Sequence, residues 1–251
     1  MVTIALIGYG NLGQHLHAAL EVLVDYKVTQ ICSPSQALET RNGVIYRAST
    51  NQLTPVDLYL IAVKDDVIES VSLQLPPDAF LVHTSGAQPL SIIAKQSRRG
   101  VLYPLQSFSR DTPVDFKQIP LFIEASNQQD LDVLMNLAKK LSDRVMPLDS
   151  KGRFQLQLGG VLVNNFVNHL YCQAADLLAQ HQLPFDLLHP LIMETAQKVL
   201  RIDPKQAQTG PAKRKDLNTI EAHLAVLTDE NQQEIYKLLS RSIGAYDDKK
   251  H

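Results

Sequence analysis

The stretch Thr3-Ile4-Ala5-Leu6-Ile7-Gly8-Tyr9-Gly10-Asn11-Leu12-Gly13 decides how this chain is read. An apolar run of strand length feeds straight into Gly-x-Gly-x-x-Gly, and a helical pattern from Gln14 to Leu23 opens behind it. Three glycines at this spacing prove little alone. A strand before them and a helix after them make the motif a dinucleotide-binding turn. Gly8 permits the tight turn, Gly10 lets the backbone approach a pyrophosphate, and Gly13 lets helix and strand pack closely. The free N–H groups at the helix N-terminus then face the phosphate charge. Tyr9, Asn11 and Leu12, between the glycines, belong to the same expected cofactor contact.

Bulk properties set the class around this motif. The 251 residues are 45% apolar and 20% charged, a soluble globular balance rather than a disordered one. With 24 basic and 26 acidic side chains the net charge is −2, so nothing draws the molecule to nucleic acid or an anionic membrane. The opening Val2–Ile7 run has no basic flank and is expected to be a buried strand rather than a signal peptide. No apolar run approaches the roughly 20 residues that span a bilayer. Cys32 and Cys172 fit no metal-ligand spacing and are expected to be reduced, buried thiols of a cytoplasmic protein. No metal site is expected.

Up to about residue 150, short apolar runs alternate with helical stretches. Strands are expected near Thr3–Ile7, Lys27–Cys32, Leu58–Val63, Ala79–His83, Gly100–Tyr103, Pro120–Glu124 and Arg144–Met146. Their Val, Ile and Leu content without polar alternation suits parallel strands covered on both faces. The stretch from Ser109 to Pro120 has turn chemistry. From Asp149 onward no strand pattern appears. Helices are expected from Arg153 to His181, Pro184 to Leu200 and Leu217 to Ser242, the last opened by an Asn218–Glu221 capping box. The expected fold is α/β: a Rossmann-type, doubly wound, mainly parallel sheet over residues 1–150, then an all-α domain over 151–251 for substrate and dimer contacts. The tail Asp247–His251 is expected to fray.

The second strand bears on which nucleotide is taken. An NAD site usually carries Asp or Glu about 20 residues after the glycines. Here the stretch is Ile31-Cys32-Ser33-Pro34-Ser35, with no carboxylate before Glu39. Ser33 and Ser35 can donate to a 2′-phosphate and Arg41 can reach one, so NADP is favoured over NAD. Alternatively, the two serines only cap the next helix. After the third strand, Ala62, Val63 and Lys64 line the crevice, and Asp65 or Asp66 is expected to cap the following helix.

The fingerprint is followed in order by Ala62-Val63-Lys64-Asp65-Asp66, His83-Thr84-Ser85-Gly86-Ala87, Tyr103-Pro104-Leu105-Gln106-Ser107-Phe108 and Thr209-Gly210-Pro211-Ala212-Lys213-Arg214. Together these segments resemble the Rossmann-like proteins with a C-terminal helical domain of unknown function. That family is described as NADP oxidoreductases distantly similar to pyrroline-5-carboxylate reductase and the hydroxyacid dehydrogenases. The resemblance covers nearly the whole chain. It implies two domains and a homodimer built through the helical half, and it names no substrate. Three departures stand out. Tyr103 stands where many relatives have His before Pro-Leu-Gln, and Gln157 stands where many have a helix histidine. Gly160 and Val161 precede Asn164 and Asn165 where the hydroxyacid dehydrogenases carry a catalytic lysine, which argues against lysine-driven alcohol oxidation.

Candidate chemistry centres on the first long helix and the fourth strand's end. Gln157, Val161, Asn164 and Asn168 share one helix face, with Asn165 and His169 an adjacent i, i+4 pair. Amides on an apolar helix are costly unless they are paired or face a ligand, so they line either a substrate or a dimer core. His83 or Ser85 could protonate a reduced carbonyl or imine, or His83 could be a satisfied structural histidine. Lys213-Arg214-Lys215 could clamp an anion or form a solvated loop. Two functions follow. One is an NADP-dependent oxidoreductase reducing a small carbonyl or imine between the domains, with His83, Ser85, Asn165 and His169 as candidate catalytic residues. The other is a nucleotide-binding sensor or scaffold without turnover.

Overall fold

The computed structural model describes residues 1–34 and 39–248. Ser35 and the last three residues, on which two of the expectations above fall, lie outside that range. Among the described residues nine strands form one sheet, ordered β3-β4-β2-β1-β5-β6-β7-β8-β9. They are β1 (Val2–Ile7), β2 (Tyr26–Cys32), β3 (Glu39–Arg41), β4 (Val44–Arg47), β5 (Leu58–Ile61), β6 (Leu81–His83), β7 (Arg99–Pro104), β8 (Leu121–Ala125) and β9 (Val145–Pro147). All seven expected strands are present, and most pairings are parallel. β1 pairs β2 from Val2↔Tyr26 to Ile7↔Cys32 and pairs β5 from Ile4↔Leu58 to Ile7↔Ile61. β7 and β8 run antiparallel from Gly100↔Ala125 to Pro104↔Leu121. The fold is Rossmann-like with a helical C-terminal region, as the sequence suggests.

Both faces of the sheet are covered, which is why its strands are apolar without alternation. On one face Ile4, Leu6, Val28 and Leu60 pack with α1 (Asn11–Glu21) and α3 (Gln128–Leu141) through Leu16, Leu20, Leu134 and Leu137. On the other, Ala5, Ile7, Tyr59 and Ile61 pack with Ile68 of the short α2 (Ile68–Ser72) and with Leu75 and Ile93.

The hairpin β3–β4 was not among the expected strands. Its register, Arg41↔Val44, leaves Asn42 and Gly43 as a two-residue loop with φ of 50° and 79°. Both φ values are positive, so the Asn-Gly pair suits a type I′ turn. That dipeptide is the strongest short-range hairpin signal a sequence offers, and it stands in plain view at 42–43.

Further corrections fall in the helices. The run expected from Arg153 to His181 is α4 (Ser150–Gly160), a π turn over Val161–Asn165, and α5 (Phe166–Gln180). Asp149 caps α4 by accepting from the Gly152 N–H at 2.8 Å. The next run is a 3-10 turn at Phe185–Leu188 leading into α6 (His189–Val199), with Pro190 in its first turn, followed by the single-turn α7 (Pro204–Ala207). The last run divides into α8 (Leu217–Val226) and α9 (Glu230–Asp248). Asp216, rather than Asn218, caps α8: its carboxylate accepts from the Thr219 N–H at 3.1 Å and the Thr219 hydroxyl at 2.8 Å. Asp216 stands directly before the first helical residue, at φ −82° and ψ 81°, so its carboxylate reaches both donors. Of the two thiols Cys32 is buried, but Cys172 is exposed on α5.

The chain divides into two compact units, Met1–Asn165 and the part from Phe166 on. The π turn ends at the division. Among the described residues of the second unit, Ala212 is the one buried apolar side chain, while Leu187, Leu191, Met193 and Leu200 are exposed. No described helix is long and apolar enough to cross a membrane.

Candidate functional site

The glycine turn has the geometry its sequence implies. Gly8 sits at φ +97°, and a Cβ there would lie 2.3 Å from the Ala62 carbonyl oxygen. Its N–H donates to the Cys32 carbonyl at 2.8 Å, while the Ala62 N–H donates to the Ile7 carbonyl at 2.7 Å. A Cβ on Gly13 would lie 2.3 Å from the Gly8 carbonyl oxygen, so the helix packs directly on the turn. Gly10 differs: nothing stands within 4 Å of where its Cβ would be. Gly10 is also the N-cap of α1, and no side chain caps that helix. No side chain accepts from the first N–H groups of α1, and the space beside Gly10 is open, the arrangement that suits an anion.

The residues between the glycines have separate tasks. Tyr9 turns inward: its hydroxyl shares a 2.9 Å hydrogen bond with His17 Nδ1, and its ring lies edge-on to Tyr46 at 6.0 Å. Burial, and then the Tyr46 hydroxyl beside it, push the phenol up to about 12. Leu12 packs against the core. Asn11 donates to the Phe108 carbonyl at 2.9 Å, and His15 Nε2 lies 2.9 Å from the Ser109 carbonyl oxygen. These two bonds fasten the loop after β7 to the start of α1.

At the end of β2, Ser33 is buried and its N–H donates to the Arg47 carbonyl at 2.9 Å. Arg41, named above as a phosphate ligand, instead pairs with Glu39 at 2.5 Å and lies over the Tyr46 ring. Arg47 is the cation sequence reasoning missed. It lies level with Cys32 on the neighbouring strand, and its Nε is buried without a hydrogen-bond partner. Only recognition of the hairpin could have placed it there.

After β5, Ala62 and Val63 are half-buried and Lys64 is exposed. Asp65 and Asp66 form a 3-10 turn with Val67, and neither makes a capping hydrogen bond. The expected cap is therefore absent; both carboxylates sit solvated in the first turn, where the helix dipole favours negative charge without a direct bond.

His83 and Ser85 are built into the scaffold. His83 is fully buried, its Nδ1 accepts from the Ser85 N–H at 3.2 Å, and its Nε2 has no partner in hydrogen-bond geometry. Burial first, and then the Arg153 charge, push the imidazole down to about 3, with the Pro89 carbonyl acting weakly the other way. The ring is neutral at pH 7. The Ser85 hydroxyl accepts from the N–H groups of Ala87 at 3.1 Å and Gln88 at 3.0 Å. A pH dependence of stability follows. Below its ordinary value near 6.5, His83 takes up a proton in the unfolded chain, but in the fold only near 3. Stability attributable to His83 is full above about pH 6.5 and falls towards pH 3, by on the order of 3–5 kcal/mol. Urea unfolding of wild type and His83→Gln at pH 7 and pH 4.5 checks this, the variant being expected to lose less stability between the two.

Arg153 of α4 is fully buried and joins three segments. It donates through Nη1 to Glu124 of β8, through Nε to the Ser85 carbonyl at 3.1 Å, and through Nη2 to the Gln88 carbonyl at 2.6 Å. Ser150 Oγ also donates to Glu124, at 2.8 Å. Sequence reading passed over Arg153, because nothing in its spacing marks an arginine as buried.

Beside this anchor the two departures meet. A Cβ on Gly86 would lie 2.5 Å from Tyr103 Cζ and 2.9 Å from Gln157 Cγ, so the glycine makes room for both side chains. Tyr103, Gln157, Asn164 and Asn165 line one cleft of about 640 Å³ with Gln106 and Ser107. Burial pushes the Tyr103 phenol up. Asn168 and His169 fall in the second unit, where His169 Nε2 lies 3.0 Å from Gln173 Nε2. Lys213, Arg214 and Lys215 also belong to that unit, in the turn before α8, and Lys215 has a φ of 57°. Among the described residues no cluster of His, Cys, Asp or Glu could hold a metal ion.

Residues 119–243 match the family model described as a domain of unknown function, DUF2520. A solved structure from Bacteroides fragilis, a proposed NADP oxidoreductase, is 39% identical over 97% of this chain and 98% of its own, with a TM-score of 0.86. The chain belongs to the DUF2520 family. Two more distant structures share the family's fold. A protein from Thermotoga maritima is 23% identical over 97% of this chain and 99% of its own, TM-score 0.73. A pyrroline carboxylate reductase from Plasmodium falciparum, solved with NADP bound, is 16% identical over 97% of this chain and 98% of its own, TM-score 0.61. Among curated proteins none matches the chain.

Proposed function

We propose that the protein is an NADP-dependent oxidoreductase that reduces a small carbonyl or imine compound. The observation that carries this reading is the uncapped N-terminus of α1, opening at a Gly10 with free space in front of it. A structural helix start would gain stability from Ser, Asp or Asn at that position, and a phosphate site would lose its ligand. The 39% identity to the proposed NADP oxidoreductase points the same way.

The residues present fit NADP. Backbone N–H groups of Gly10, Asn11 and Leu12 would hold the pyrophosphate, and Ala62 and Val63 would flank the nucleotide. Arg47 offers a guanidinium at the end of β4, with no carboxylate in Ile31–Pro34 to repel a 2′-phosphate. When bound, NADPH supplies the hydride. The chain's own task is to position the substrate and deliver a proton. Burial and hydrogen bonding favour a positioning role for His83 and Ser85, with substrate contact made by the cleft amides, Asn165 among them. His169 stays a candidate from the second unit.

A homodimer through the helical unit belongs to this proposal. One buried apolar side chain among the described residues is too little core for a unit of this size, so its exposed leucines call for cover. The free thiols suit a reducing cytoplasm. The alternative, a nucleotide sensor without turnover, draws on the hydrogen-bonded Ser85 and on Gly160 and Val161 standing where a lysine would act. NADPH consumption at 340 nm over a panel of aldehydes, ketones and cyclic imines separates the two. Saturable turnover of at least one compound is expected; tight binding without turnover on any would favour the sensor.

A further inference from the structure

We propose that the cleft beside Tyr103 takes an uncharged carbonyl compound, and that the Tyr103 hydroxyl donates the proton to its oxygen. This rests on the oxidoreductase reading above and deepens it by naming the substrate class and the acid.

The lining of the cleft sets the class. None of its residues is Asp, Glu, Lys, Arg or His; its polar groups are the amides of Gln106, Gln155, Gln157, Asn164 and Asn165 with the hydroxyls of Tyr103 and Ser107. A carboxylate or ammonium entering here would shed water and meet no counter-charge in the lining, a large cost; the charges that act on Tyr103 are Arg153, already paired with Glu124, and Asp65. Amides carry both donors and acceptors and suit a neutral polar group.

Placement makes Tyr103 the acid. β6 ends at His83, level with Val101 of β7, so Tyr103 stands two residues further along, at the carboxyl edge where ligands of such sheets lie. Its ring is held by Gly86 and Gln157 on one side and tilted against Phe122 at 6.3 Å on the other. The hydroxyl makes no hydrogen bond among the described residues. A phenol is protonated at neutral pH, as an acid must be, and burial moves it further in that direction. As the carbonyl carbon accepts hydride, the C=O π pair moves onto oxygen. The Tyr103 O–H bond breaks, its proton forms the alcohol O–H, and the tyrosinate recovers a proton from water. The carbonyl is reduced and NADPH is oxidised.

The test compares wild type, Tyr103→Phe and Tyr103→His with benzaldehyde and 4-carboxybenzaldehyde, alongside NADPH affinity by fluorescence. The expected result is a kcat/KM at least about tenfold higher for the uncharged aldehyde. Tyr103→Phe should lower kcat about 100-fold, with KM and NADPH affinity within about twofold. Tyr103→His should restore part of kcat and bring in an alkaline decline near the histidine pKa, about 6.5. Preference for the carboxylate-bearing aldehyde, or an unchanged kcat in Tyr103→Phe, would overturn the proposal. Should neither aldehyde react, ligand-observed NMR on the NADPH-loaded protein decides: binding of benzamide without benzoate supports the uncharged site. Benzoate binding, or no binding of either, overturns it. Failure of wild type to bind NADPH would instead remove the oxidoreductase reading on which this one stands.

Discussion

Arg153→Leu is expected to destabilise the protein by about 3–5 kcal/mol, the cost of leaving one partner of a buried ion pair uncompensated. The reasons are specific. Leu matches much of the side chain's bulk but leaves Glu124 without its counter-charge and the Ser85 and Gln88 carbonyls without their donor. Only the Ser150 hydroxyl would still satisfy Glu124. For a chain of this length the loss corresponds to a fall in Tm of roughly 10 °C. Removing both charges in Arg153→Leu/Glu124→Leu should recover part of the loss, since the unpaired carboxylate is gone while two carbonyls still lack a donor. Urea unfolding and thermal scans of the single and double variants measure this. A single variant within about 1 kcal/mol of wild type would show that Arg153 is not the anchor the geometry describes. Because Arg153 ties α4 to the loop after β6, the same variant should also loosen the Gly86–Tyr103–Gln157 contact. That would appear as a raised KM at temperatures where the fold survives.

Gly10→Asp should separate binding from stability. At Gly10 the backbone has φ −74° and ψ −164°, which any residue adopts, and an added side chain meets nothing within 4 Å. Asp is also among the best N-cap residues, better than Gly by roughly a few tenths of a kcal/mol. Thermal stability should therefore be unchanged or slightly raised. NADPH affinity should fall at least about 100-fold, because a carboxylate would occupy the N–H groups meant for the pyrophosphate and repel its charge. Loss of stability together with binding would mean that Gly10 is a structural glycine. Retained binding would place the nucleotide elsewhere.

What the sequence made legible follows physical lines. Strands buried on both faces announce themselves as apolar runs, and all seven such runs are strands. The glycine fingerprint was readable because each glycine answers a separate steric demand: backbone contact at Gly8 and Gly13, open space at Gly10. The β3–β4 hairpin escaped because its strands are short and polar at the sheet edge, although Asn42-Gly43 advertised the turn. The interruption at Val161–Asn165 escaped because a π turn keeps the apolar helical pattern and changes only its phase. The site itself was read in outline. His83 and Ser85 stand out in the sequence from their place at a strand end, whereas their burial and their hydrogen bonds within the loop are tertiary features that no spacing encodes. Tyr103 and Gln157 were visible as departures, while their meeting across Gly86 is a tertiary contact no spacing encodes.

The central claim is that the turn at Gly8–Gly13 holds NADP, and it is tested most directly by titrating the purified protein with NADPH and with NADH. The nucleotide's own fluorescence serves as the signal, and the absence of tryptophan leaves it free of energy transfer from indole. Saturable NADPH binding, at least about tenfold tighter than NADH (about 1.4 kcal/mol), is the predicted result. Binding of neither nucleotide would contradict the account and leave a Rossmann-shaped protein whose glycine turn serves some other ligand.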